Sequence, residues 1–414
     1  MGIGVRRIIM KLRRTSKNCV LAMVLGFGVW VVTAEGADWP NFRGPNHNGI
    51  STETGWSATW PKDGPKVLWK ATLGTGFCSI AVSGGRAYSM GNVDNKDILY
   101  CFDASTGKEI WKQSYPCPLF KKDHEGGPSA TPTVDGDSVY TFSKNGDALC
   151  FKAANGQIVW QKNLPKELGI KYPTWYFASS AFVADNLIIL NAGTAGIALN
   201  KTDGKVVWQS GNGPPGYATA VPFMMGSEKC VVIVGSTEIF GLVAATGKVL
   251  WKFPWKTDYD INAADPIISG DTVFVSSGYN HGCALLKIEG GNVTDVWRNK
   301  NMRNHFNSCV LWDGYIYGFD ESTLRCLDFK TGEVKWSQEG LGKGSLMIAD
   351  GKLIILSERG KLVIAPASPE GFKELASVQI LMGKCWTVPV LANGKIYARN
   401  NPDGQLVCVD VSGK

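Results

Sequence analysis

Asp260, Asn262 and Asp265, in the stretch DYDINAADP, form a compact acidic–amide cluster that reads as part of a short innermost strand. Carboxylate and amide oxygens so spaced are donors that a calcium ion takes, and a nearby carboxylate could act as a base. Adjacent carboxylates alone do not make a metal site, and the same residues read first as the end of a strand and its turn. Other chemistry is sparse. His47, His124, His281 and His305 are scattered, none at zinc-ligand spacing, and each reads as an ordinary loop or surface histidine. No Gly-x-Ser-x-Gly elbow occurs. Of the 11 cysteines, none are adjacent and none form Cys-x-x-Cys-His.

What the chain does concentrate is aromatic and polar residues in a set of loops: KKDHEGGPS (121–129), KYPTWYFAS (171–179), GPPGYATA (213–220), MRNHFNS (302–308) and MGKCWT (382–387). Each leads into a short run that includes small residues. What such loops do depends on the elements that carry them.

Those elements repeat. LYCFDASTGKEIW (99–111) and LRCLDFKTGEVKW (324–336) share Leu, Cys, Asp, Thr, Gly and Trp at the same offsets. LCFKAANGQIVW (149–160), GIALNKTDGKVVW (196–208) and IFGLVAATGKVLW (239–251) belong to the same set, and Trp69 and Trp297 continue the tryptophan series. A period of roughly 40–45 residues marks a propeller blade. Within one repeat, LYCFD alternates as a strand, Asp-x-x-Thr-Gly supplies turn chemistry, and the Trp-bearing strand returns. The tryptophan is a flat apolar group suited to the wedge between blades. Turn-announced alternating runs, from GGRAYSM (84–90) to NGKIYAR (393–399), supply another strand in each blade. The pattern predicts an all-β fold, an eight-bladed β-propeller of four-stranded antiparallel blades. The last blade ends at LVCVDVSGK, short of an outermost strand, while KVLWKATLG (66–74) precedes the first. We therefore expect this N-terminal strand to pair with the last blade and close the ring, removing an exposed edge. On such a ring the aromatic loops reach one face, and His124, Trp175, Tyr176, Tyr217, Asn262, His305, Lys343 and Trp386 are expected to line its channel mouth. That composition suits a protein, peptide or glycan ligand.

The repeat also bears on cysteine. Cys101, Cys150, Cys326 and Cys408 occupy equivalent blade positions, too far apart for disulfides, and read as small buried apolar residues. Cys78, Cys309 and Cys385 fall on innermost strands, where pairing stays open.

Residues 1–34 read as a signal peptide: a basic opening without acids, an apolar run over 19–32 too short to span a bilayer, then small residues. The expected location is therefore exported, periplasmic or secreted, with no transmembrane segment in the mature chain. No Leu-x-x-Cys lipobox closes the apolar run. Setting aside Arg6, Arg7, Lys11, Arg13, Arg14 and Lys17 takes the formal charge from +7 to +1, which leaves no basic surface for a nucleic-acid partner. Residues 35–65 are expected to wrap the propeller of residues 66–414.

The motif Ala-x-Asp-x-x-Thr-Gly-x-x-x-Trp, carried most closely by CFDASTGKEIW and CLDFKTGEVKW, resembles the repeat of pyrroloquinoline-quinone (PQQ)-like β-propellers, and the resemblance covers nearly all of 66–414. DWPNFRGPNHNGIS (38–51) is similar to the opening of secreted members. The resemblance implies one of two functions. The first is a non-catalytic binding or protein-interaction scaffold similar to BamB, the outer-membrane assembly factor, with no cofactor. The alternative is a PQQ/Ca²⁺-dependent alcohol dehydrogenase, whose members are usually longer and commonly rest the quinone on an adjacent-cysteine disulfide that this chain lacks. The scaffold reading needs only what is present and is the expectation carried forward.

Overall fold

The computed structural model describes residue 1, residues 37–122 and residues 124–413; apart from Met1, the expected signal peptide lies outside the described residues. Each repeat begins its outer hairpin as the local chemistry requires. The Asp103 carboxylate accepts the backbone N–H groups of Ser105 and Thr106 at 3.0 and 2.8 Å and the Thr106 hydroxyl at 2.9 Å. Gly107 then takes φ 70°, a left-handed conformation that other residues adopt only with strain. Asp328 repeats the cap with Lys330 and Thr331.

Eight antiparallel blades result. Their innermost strands are Ala81–Ser83, Thr133–Asp135, Phe182–Ala184, Val221–Met225, Ile267–Ser269, Val310–Trp312, Ser345–Ala349 and Val390–Ala392, and we number blades one to eight in that order. The ring closes as expected. Val67–Thr72 pairs antiparallel with Gln405–Asp410 of blade eight, with Trp69 opposite Cys408 and Thr72 opposite Gln405. Among the described residues the one helix is Leu164–Leu168, and no helix is long and apolar enough to cross a membrane.

The repeat's tryptophan and glycine turn out to be partners across blades. Trp69, Trp111, Trp160 and Trp208 each donate their indole N–H to a carbonyl in the next blade's turn: Ala104, Ala153, Lys201 and Ala244, at 2.9–3.1 Å. Each ring lies on that turn's glycine so closely that a Cβ on Gly107, Gly156, Gly204 or Gly247 would fall 2.5–2.8 Å from it. Trp251 is the exception. It is buried, but blade five turns tightly through Gly290-Gly291 and lacks the motif, and the Trp251 indole N–H has no acceptor. All ten described cysteines are buried and unbridged, the innermost-strand group included.

The lead-in segment does more than wrap. Its first half lies against the innermost strands, across the end of the channel formed by their turns. Trp39 exchanges backbone hydrogen bonds with Val82 of blade one at 2.8 Å, and the Pro40 carbonyl accepts from Val134 of blade two. His47 packs edge-on against Phe182 of blade three. Ile50–Ser51 adds a parallel strand to the inner edge of blade seven, Ile50 opposite Ile348. The Glu53 carboxylate then accepts the N–H groups of Asn393 and Gly394 at the inner turn of blade eight.

Candidate binding funnel

At the other end of the channel, the loops leading into the innermost strands enclose a cavity of about 720 Å³. Its depth is set by a belt of side chains. Ser79 donates its backbone N–H to Thr131 Oγ1 of the next blade, Thr131 to Ser180 Oγ, Ser180 to Thr219 Oγ1, Thr219 to Asp265 Oδ1 and Asp265 to Ser308 Oγ, all at 2.8–3.1 Å. Thr387 continues the belt from blade eight to the Phe77 carbonyl. Small hydroxyl residues are found there because each must fit a crowded axis and accept a neighbour's N–H. Asp265 alone in this series is a carboxylate.

The lead-in segment explains that exception. Arg43 reaches the axis with its Nε 3.8 Å from Asp265 Oδ2, both side chains nearly excluded from water, and it donates to the carbonyls of Cys309, Asn48 and His47. Burial pushes the Asp265 carboxyl up to about 6 against the opposing pull of Arg43 and the Thr219 N–H. Burial, reinforced by Arg43, pushes His47 down to about 4. Phe42, next in the chain, lines the cavity. The channel is therefore a blind funnel with an aromatic ring and a neutralised ion pair at its base.

Above the belt, aromatic rings follow one another around the wall. Trp175 stacks on His124 at 5.3 Å, His124 meets Phe77 edge-on at 5.5 Å, and Phe77 stacks on Trp386 at 5.8 Å. Trp386 touches Phe306 at 4.5 Å, Phe306 touches His305, and His305 meets Tyr279 edge-on at 4.8 Å. Tyr279 passes the arc to Tyr259. The Tyr217 hydroxyl accepts the Trp175 N–H at 3.1 Å and braces the arc from blade four. Trp386 is held from behind, donating its indole N–H to Glu358 at 3.0 Å, while Lys384 lies over its ring and pairs with Glu125 at 2.6 Å.

Of the residues expected at the mouth, His124, Trp175, Tyr217, His305 and Trp386 line the cavity together. Lys343 stands in an adjoining cleft, Nζ 2.8 Å from His305 Nδ1 and 3.8 Å from Glu321. Burial, and then Lys343, lowers the His305 pKa. Tyr176 lies outside the cavity lining, its ring against Phe120 and Tyr172. Asn262 stands behind the wall: its amide donates to the carbonyls of Gly235 and Ser236 and its oxygen accepts from Ser277. Lys122 and Phe306, from two of the aromatic loops, also line the cavity, as do Tyr259 and Tyr279 from outside those loops. Nothing in the sequence marks Lys144, which sits in the turn SKNGD after the strand Ser138–Phe142 and also lines the funnel.

The acidic–amide cluster does not fit a calcium ion. Calcium takes six to eight oxygens. Here Asn262 is committed inside the wall, Asp260 sits exposed on a turn with φ 53°, and Asp265 divides its oxygens between Thr219 and a guanidinium. No cluster of three or more His, Cys, Asp or Glu side chains suited to a metal occurs among the described residues.

Against known proteins, the sequence model of the family described as "Outer membrane protein assembly factor BamB" matches residues 51–127 and 94–338. The outer membrane protein assembly factor BamB of Yersinia pestis is 23% identical over 369 residues, covering 84% of this chain and 82% of that protein. Among solved structures, BamB from Moraxella catarrhalis superposes with a TM-score of 0.61 at 15% identity, covering 83% of this chain and 97% of that one. Quinohemoprotein alcohol dehydrogenase from Comamonas testosteroni superposes with a TM-score of 0.66 at 12% identity, covering 91% and 81%. At those identities the structural likenesses establish the propeller fold alone.

Proposed function

The chain belongs to the family of the outer membrane protein assembly factor BamB, and from that membership and the funnel we propose an exported, non-catalytic propeller that binds protein at its aromatic mouth. The observation that carries this reading is the continuous arc from Trp175 to Tyr259 around a blind cavity. Large rigid rings in a preformed concavity supply contact area at little entropic cost, which is what polypeptide recognition uses. Many of the polar groups nearby are engaged in holding blades together, as the belt and Asn262 illustrate. The quinone–calcium reading receives no support from the donor set, because a buried arginine faces the carboxylate that calcium would need. Saturable binding of PQQ with calcium to the purified chain would revive it.

The test is photo-crosslinking in the native host from a reactive residue placed at Trp386, with exposed Val207 on an outer strand as control. The proposal expects crosslinks to envelope proteins of the outer-membrane assembly apparatus from the mouth and not from Val207. It also expects an exported chain beginning near Glu35. A chain retained in the cytoplasm with residues 1–34 attached, or a mouth that crosslinks no more than Val207, would refute it.

A further inference from the structure

Among the described residues, the funnel wall contains a lysine with no ion-pair partner. Lys384 has Glu125 at 2.6 Å and Lys343 has Glu321 at 3.8 Å. Lys144 is 3% exposed, and its ammonium, with three hydrogens to donate, meets one acceptor among the described residues, the Trp175 carbonyl at 3.4 Å. Among the described residues no carboxylate stands within ion-pair distance of it. A buried charge left in that state is costly, and the usual remedy is an opposite charge. Burial pushes Lys144 down to about 8, with Asp97 and Cys117 pulling the other way. Neither of those two lines the cavity, and Asp97 is engaged by Asn92 at 2.8 Å. Lys122 approaches the same corner from the mouth, its ammonium 5.0 Å from the Trp175 ring centre. The carboxylate at the funnel base, Asp265, already faces Arg43. Among the described residues, the corner around Trp175 thus holds two lysines without an ion pair and is walled by rings.

Shape decides what kind of anion enters. With Phe42 at the base and the lead-in segment across the far opening, a chain cannot thread through. An extended polypeptide can therefore enter the cavity by one of its ends. An amino terminus would bring a second ammonium to the lysines, whereas a carboxyl terminus would bring what they lack.

We propose that the funnel captures the carboxyl terminus of a polypeptide, its terminal carboxylate on Lys144 beside Trp175 and an apolar last side chain against the aromatic arc. This deepens the protein-binding reading above and rests on it.

The probe is an N-acetylated pentapeptide, Ala-Ala-Gly-Ala-Leu, titrated calorimetrically into the intact protein at pH 7 as the free acid and as the carboxamide. The free acid is expected to bind at least about tenfold more tightly, since charge-assisted hydrogen bonds are roughly twice as strong as neutral ones. K144M is expected to bring the acid-to-amide ratio to about one. Equal binding of acid and amide to the wild-type protein overturns the proposal and needs no variant. So does a ratio preserved in a K144M protein with an unchanged circular dichroism spectrum. If 4-methylpentanoate binds as tightly as the peptide acid, the polypeptide source is refuted. Should neither peptide bind while Trp386 still crosslinks to envelope protein, this inference fails and the scaffold reading stands.

Discussion

Replacing Arg43 with methionine tests whether the lead-in segment and the belt of blade five hold each other in place. Methionine keeps much of the stem and removes the charge, so Asp265 would stay buried with the Thr219 N–H as its remaining donor, at 2.8 Å. Stranding one member of a buried pair costs about 3–5 kcal/mol. The loss should depend on pH with a definite sign. In the wild-type protein the Asp265 carboxyl is already raised to about 6. The folded state therefore holds that proton more tightly than the unfolded chain, where an aspartate titrates near about 3.9. Stability from this group is fully present below that unfolded value and is lost as pH rises through about 6, with no further loss above. Removing Arg43 raises the folded value again, and each added unit costs about 1.4 kcal/mol once the pH exceeds it. The variant should then be about 4 kcal/mol less stable than wild type at pH 8 and about 2 kcal/mol less stable at pH 5. The pH-independent part is the loss of hydrogen bonds to the Cys309, Asn48 and His47 carbonyls. Urea unfolding followed by tryptophan fluorescence measures both values. D265S supplies the kind of hydroxyl found at Thr131, Ser180, Thr219 and Ser308 but leaves Arg43 buried without its carboxylate, so it should also cost about 3–5 kcal/mol; because the titrating group is gone, its loss relative to wild type should shrink, not grow, between pH 5 and pH 8. Equal losses for R43M at the two pH values, or a loss below about 1 kcal/mol at pH 8, would refute the reasoning.

Two further expectations concern the ring. Deleting residues 66–72 removes the strand opposite Gln405–Asp410 and the buried Trp69, so the protein should lose at least the 3–5 kcal/mol of a core tryptophan, about that much, and scatter light as it aggregates; an unchanged melting temperature would rule out this closure. G156A places a Cβ 2.5 Å from the Trp111 ring at a φ of 75° and should cost about 3 kcal/mol, of which about 1 should remain in a W111A background; additive effects in that cycle would count against the packing described.

Much of this architecture is local and therefore readable along the chain. Asp103, Thr106 and Gly107 make their turn with one another, and alternation in LYCFD sets which side chains face a neighbouring blade. Because the unit repeats, a hairpin understood once is understood around the ring, and the unpaired end of blade eight points to Val67–Thr72 as its partner. The loops that carry His124, Trp175, Tyr217, His305 and Trp386 share a face for the same reason: equivalent places in a repeat emerge on equivalent sides.

What the repeat leaves undecided is whatever happens across the axis. Arg43 meets the Cys309 carbonyl over 266 positions of sequence, and no periodicity links them. That the lead-in segment crosses the far end of the funnel, that Asp265 answers an arginine, and that Asn262 stands behind the wall all follow from where the lead-in segment and blade five come together. Tyr176 falls outside the arc although its neighbour Trp175 is within it, because its backbone turns to φ 64° and carries the ring to Phe120. Lys144 looks like an ordinary turn lysine until packing removes its solvent. Strand periodicity is written in nearest neighbours, so composition and spacing determine it. The environment of a charge depends on which distant segments exclude water from it, and only the closed ring decides that.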